Sequence, residues 1–126
     1  MYQTLALFRM SSDMARHAGQ AQAQIARNVA HADTPGYRAQ ALPDFADTLR
    51  PGPQTALRRT RPGHVMHDTS HARARLVDRG SEPAPNGNSV SLEDELLASV
   101  DAGSSHRRAL AIYSHTMTVL RTTLGR

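Results

Sequence analysis

From Tyr2 to Ala32, small and apolar residues recur at alternating spacings of three and four: Phe8, Ser11, Ala15, Ala18, Gln22, Ile25, Val29 and Ala32. Leu5 and Met14 widen this stripe, and Ser11, Ser12 and Gly19 weaken it. The segment is rich in Ala, Gln, Arg and Met, which favour helix. The pattern predicts an amphipathic helix over residues 1–32, with small residues suited to close helix packing. A second pattern starts at Ser91, a suitable N-cap, with Glu93, Asp94 and Glu95 where the helix dipole favours negative charge. Leu96, Val100, Gly103, Arg107, Leu110, Ser114, Met117, Arg121 and Leu124 trace one seam along it, with Tyr113 and Leu120 beside. The predicted helix covers residues 91–126, with His106, Arg107, Arg108, Arg121 and Arg126 placing positive charge toward its C-terminal half. At about 1.5 Å per residue each helix is ~45–50 Å long, so the two are expected to pack as an antiparallel, coiled-coil-like pair.

The middle, residues 33–90, reads differently. Proline interrupts Leu42-Pro43-Asp44-Phe45 and Leu49-Arg50-Pro51-Gly52-Pro53. The run from Ala72 to Val77 suits a short strand, and Arg79 to Asn88 is a turn-rich loop. So long an irregular stretch is unusual within a compact monomer and fits a segment that orders against neighbouring subunits. The expected fold class is mainly α: two long terminal helices joined by an extended, partly β or irregular middle.

The junction after the first helix is Asn28-Val29-Ala30-His31-Ala32-Asp33-Thr34-Pro35-Gly36-Tyr37-Arg38. Pro35 and Gly36 suit the central positions of a type II turn, where proline presets φ and glycine takes the positive φ that follows. Thr34, before proline, is held out of the helical region, so the helix is expected to end near Ala32 or Asp33. Asn28 is poor inside a helix, but its amide can bond a chain that turns back on it.

Asn28, Val29, Ala30, Thr34, Pro35, Gly36 and Tyr37 resemble the N-terminal signature of the bacterial flagellar rod, hook and hook-associated proteins, Asn-apolar-Ala-Asn-x-x-Thr-Pro-Gly-Tyr. His31 and Asp33 depart from it, standing where that family usually has asparagine. Thr60 with His64, and Asn88-x-Val90-x-Leu92-Glu93-x-Glu95-Leu96, are similar to the proximal rod members, as is the absence of a large domain between the terminal helices. The resemblance implies a structural subunit that assembles into a helical tubular shaft and transmits torque. It implies other rod subunits as partners, together with the membrane-embedded base: the MS ring, its rod adaptor and the export gate. It also implies passage through the flagellar type III apparatus to the periplasmic rod, without a cleaved signal peptide. The signature turn and the helix seam, Phe8, Ala15, Ala18, Ile25, Val29, Leu96, Val100, Leu110, Met117 and Leu124, are then the residues expected to matter.

Composition agrees with an assembling chain. Of 126 residues, 39% are hydrophobic and 4% aromatic, with no Trp, a thin supply for a self-contained core. There is no cysteine, which excludes disulfides and thiol chemistry. No segment approaches the ~20 apolar residues of a membrane helix, and Met1-Tyr2-Gln3-Thr4-Leu5 lacks the basic and apolar regions of a secretory signal. The net charge of +4 leaves a second reading open, a basic helical module that binds nucleic acid. Arg58-Arg59-x-Arg61 and His106-Arg107-Arg108 lack interleaved aromatics, so solvated or acid-paired runs, and no nucleic acid, are the expectation. A salt titration separates the two, since non-specific binding vanishes near physiological salt. His64, His67 and His71 are spaced to share a helix face and invite a metal, with Asp68 nearby. Pro62-Gly63 before them and Thr69-Ser70 within them favour polar loop histidines instead. No nucleophile elbow or phosphate-binding glycine loop occurs, so no enzyme and no cofactor are expected.

Overall fold

A computed structural model of the chain describes residues 2–49 and 75–125. They form five elements: α1 (Tyr2–Ala30), β1 (Gln40–Ala41), α2 (Phe45–Leu49), β2 (Val77–Asp78) and α3 (Leu92–Thr123). The described chain is mainly helical, with α1 and α3 packed against each other. Three contacts fix their direction. Asn28 meets Glu95, the Ala15 carbonyl meets His106, and the Phe8 ring meets Tyr113 with centroids 4.4 Å apart. Residue numbers fall along one helix as they rise along the other, so the pair is antiparallel.

The helix limits follow local chemistry. Ser91 caps α3 from extended backbone, and its Oγ accepts from the Asp94 N–H at 3.3 Å. At the other end Gly125, at φ +71°, turns the chain out of the helix. α1 stops at Ala30, a little before the expected Ala32, because its last turn tightens: His31 N–H bonds Asn28 O and Ala32 N–H bonds Val29 O. Of the short strand expected over 72–77, residues 72–74 lie outside the described residues, and the observed strand is Val77–Asp78, pairing antiparallel with Gln40–Ala41. Thr60, His64, His67 and His71 lie outside the described residues.

The interior is small and polar. The buried hydrophobic residues among those described are Ala18, Ala39, Ala102 and Ala109. The largest fully buried side chains are Glu95, Asn28 and Ser89. On α3 the buried line is Glu95, Ala102, Ala109 and Thr116, a strict heptad repeat.

That line corrects the expected packing of α3. Leu96, Val100, Leu110 and Leu124 do not face α1 but are exposed, and Met117 is half-buried. The seam read from the sequence is a real heptad stripe, displaced by one residue from the stripe that packs. Small side chains let the helix axes approach closely, whereas a line of leucines would hold them apart. On α1, Phe8, Ala15, Ala18 and Ile25 are buried or half-buried as expected, but Val29 is exposed. Asn28 takes the inward position next to it, because its amide finds partners there and an isopropyl group would not.

Candidate functional site

The ends of α1 and α3 that lie together hold a hydrogen-bonded knot with Asn28 at its centre. Asn28 Nδ2 donates to Gln40 O at 2.8 Å and to Glu95 Oε1 at 2.9 Å. Its Oδ1 accepts from Gln24 Nε2 at 3.1 Å, from the Tyr37 hydroxyl at 3.2 Å and, more weakly, from Gln40 N–H at 3.4 Å. Both hydrogens and both lone pairs of the amide are engaged, which is what burial at 1% exposure demands.

Glu95 is fully buried. Arg79 Nη1 lies 2.6 Å from the same Oε1 that Asn28 bonds, so one oxygen takes an ion pair and a neutral donor. Oε2 is also buried and accepts no hydrogen bond. The three residues come from the end of α1, the segment after β2 and the first turn of α3. Removing any one leaves polar groups buried without partners.

The turn behaves as its residues dictate. Tyr37 N–H bonds Thr34 O at 3.3 Å, and Gly36 stands at φ +73°. Pro35 is exposed at the tip, and Ala30 is exposed at the helix end. His31 stacks on Tyr37 with centroids 4.6 Å apart and planes 21° apart, and its Nδ1 is 3.2 Å from Thr34 Oγ1. The histidine that departs from the family pattern therefore braces the turn from outside.

A second loop locks onto this turn. Residues 85–87 close a tight turn, with Ala84 N–H on Asn88 O, Gly87 N–H on Ala84 O, and Gly87 at φ +80°. Gly36 N–H donates to Asn86 O at 3.0 Å. A Cβ added to Gly87 would sit 3.4 Å from the Gly36 Cα, so the two backbones touch. Asn88 Nδ2 points into the end of α1 and lies 3.0, 2.6 and 2.9 Å from the carbonyls of His31, Ala32 and Thr34. It thereby ties the loop to the chain that leaves α1, adding to the backbone bonds that the His31 and Thr34 carbonyls already accept. Ser89 finishes the lock: its N–H bonds Tyr37 O, and its Oγ accepts from Ala39 N–H at 2.9 Å.

The chain matches no protein-family model and no curated protein.

Among the described residues no group of three or more His, Cys, Asp or Glu is placed to hold a metal. No described helix is long and apolar enough to cross a membrane. Beside the knot, a cleft of about 260 Å³ opens between α1, α3 and residues 40–45, with His17, Ile25, Leu42 and Phe45 among its walls. The His17 ring packs tilted against Phe45 and lies 3.0 Å from the Pro43 carbonyl, fastening the middle segment to α1. Sequence reasoning placed Asn28, Thr34, Pro35, Gly36 and Tyr37 together but missed Arg79, Asn88 and Ser89 as their partners. The polar residues of the 88–95 stretch were visible there, and Glu95 was read as a dipole-stabilising charge rather than a buried ligand of Arg79.

Proposed function

We propose that this chain is a structural subunit of the bacterial flagellar basal body, in the proximal rod, of the FlgB type. FlgC, a proximal rod protein of similar size with the same N-terminal run, is the neighbouring assignment. One observation carries the reading: the two stretches that resemble this family, far apart in sequence, bond directly to each other. Asn28 joins Glu95 and Thr34 joins Asn88 through side chains, and the Tyr37 carbonyl accepts from the backbone N–H of Ser89 between them. Residues that matched by coincidence would have no reason to form one hydrogen-bonded unit.

The packing supports the same role. Among the described residues the buried hydrophobic side chains are alanines, which gain little from folding alone. The chain leaves leucines outward on α3, where neighbouring subunits would cover them. Head-to-tail contacts that do not close build a helical array. Such a subunit would travel weakly folded through the type III export channel and order on docking, with rod subunits and the basal-body base as its partners. The test is genetic and structural. Disrupting the gene should abolish motility, and electron microscopy of basal bodies carrying a tagged chain should place the tag in the periplasmic rod. Motile cells without the gene, or basal bodies that lack the chain, would overturn the proposal.

A further inference from the structure

We infer that Asn86 is a site of spontaneous deamidation, open to the reaction while the loop around it is free and closed to it when that loop docks on the Pro35-Gly36 turn. The loop then acts as a clock on chains that have not yet locked. The inference concerns this loop and this turn and does not rest on the rod reading.

The sequence singles out one asparagine. The chain has three, Asn28, Asn86 and Asn88, followed by Val29, Gly87 and Ser89. Deamidation at neutral pH needs the backbone nitrogen of the next residue to reach the asparagine Cγ. A β-branched valine crowds that approach, serine crowds it less, and glycine has no side chain to obstruct it. Asn28 and Asn88 are buried, at 1% and 4% exposure, with amides held by several partners. Asn86 is exposed.

The reaction balances with water as the only co-reactant. A base in solution takes the Gly87 amide proton, and the nitrogen attacks Asn86 Cγ to form a new C–N bond. The Cγ–Nδ2 bond breaks, and Nδ2 leaves as ammonia with a proton from solvent. The product is a cyclic imide. Water opens it at Cγ to give aspartate, or at the former backbone carbonyl to give isoaspartate, whose main chain runs through Cβ and Cγ.

The docked loop holds each participating group. Gly87 N–H points at Ala84 O across 2.8 Å, and an amide carbonyl accepts that hydrogen bond without taking the proton. Asn86 O accepts from Gly36 N–H at 3.0 Å, which fixes the peptide plane that must rotate for the ring to close. Asn86 Oδ1 accepts from Asn88 N–H at 3.0 Å. That bond polarises Cγ, but a polarised carbonyl gains nothing while the attacking nitrogen keeps its proton and its partner. The reaction therefore runs through the fraction of chains in which the loop stands open.

Isoaspartate then prevents locking. It lengthens the main chain inside the turn, and it makes the carbonyl that receives Gly36 N–H part of a free carboxylate. A chain that waits too long unlocked loses the means to lock.

The test follows Asn86 in full-length protein at mildly alkaline pH, with and without urea, at a concentration where helicity is complete. Mass spectrometry of digested samples reads the exchange of amide for carboxyl, and chromatography separates the isoaspartyl peptide. Asn86 should convert several-fold more slowly in the folded protein than in urea, and in urea it should outpace Asn88 and Asn28. Without urea, Gly36→Val should raise the rate at Asn86 several-fold. Asn88→Ala, which frees the loop and leaves Asn86 and Gly87 in place, makes the same check where Gly36→Val does not fold. Isoaspartyl chains returned to buffer should unfold at lower urea than untreated chains. Equal or faster conversion in the folded protein, Asn88 converting ahead of Asn86 in urea, or an unchanged rate in both variants would overturn the inference. Isoaspartyl chains of undiminished stability would overturn the clock.

Discussion

Asn28 donates to Glu95 across 2.9 Å, joining the last turn of α1 to the first turn of α3. Both side chains are almost wholly removed from solvent, and Arg79 completes the contact from the segment after β2. In a helix pair whose buried apolar residues are alanines, sliding one helix past the other changes apolar burial little. A buried polar contact changes a great deal, because any other register leaves the amide and the carboxylate without partners. The knot therefore sets the register of the pair and the place where the middle segment folds back.

Asn28→Ala should lower stability by about 2 kcal/mol, because it strands the groups that the amide now satisfies. Asn28→Asp should cost more than Asn28→Ala, although it is closer in shape. It removes both Nδ2 hydrogen bonds and sets a carboxylate against Glu95. Urea unfolding, at a protein concentration where helicity is complete, would rank the two. A smaller loss for the aspartate would mean that the amide does not face Glu95.

Gly36→Val should impair assembly. At φ +73° a β-branched side chain costs at least ~1 kcal/mol, and relieving it pulls Gly36 N–H from Asn86 O. Gly36→Asn, which tolerates that conformation better, should retain more function. Gly87→Ala should also be costly, because Gly87 stands at φ +80°, while its Cβ would meet Gly36 only at ordinary contact distance. Swarming of cells that carry only each variant measures the order, and normal swarming with Gly36→Val contradicts the role given to the turn.

The isolated chain should lose helix on dilution. Its buried hydrophobic residues among those described are four alanines, which contribute far less than the ~1.5–3 kcal/mol of a buried leucine or phenylalanine. Circular dichroism across a concentration series should show ellipticity at 222 nm rising as copies associate. Full helicity with a cooperative melt in dilute monomer would contradict this.

Much of this arrangement was legible in the residues, and the misses share a cause. The two helices, the Ser91 cap and the Pro35-Gly36 turn each depend on local chemistry, and all are present, with the helices ending two or three residues before the expected limits. The partners of Asn28 depend on contacts across long stretches of chain, and no local rule points from Asn28 to Arg79. The inward face of α3 was misjudged because apolarity was taken to mark it. Leu96, Val100 and Leu110 outweigh Ala102 and Ala109 on any hydrophobic scale. Yet the close approach of two helices selects small residues, and the buried Glu95 selects the polar end.

The two heptad stripes of α3 can be separated by neighbouring substitutions. Ala109 is fully buried, so Ala109→Asp places an unpaired charge inside the helix pair and should cost several kcal/mol of stability, unfolding the chain. Leu110, one residue on, is about half exposed, so in dilute monomer Leu110→Asp should leave the secondary structure of the chain nearly unchanged, while removing the gain of helix with concentration. It should nevertheless abolish assembly, because the contact it damages repeats in every copy. Ile25→Asp, at a half-buried position on α1, should fall between them in stability. His67→Ala with His71→Ala, outside the described residues, should do little if these are loop histidines. Circular dichroism separates folding from assembly, and motility reads assembly. If Leu110→Asp is tolerated while the double histidine change abolishes motility, the outer stripe is not an interface. A metal-linked or proton-linked role for those histidines then becomes the better account.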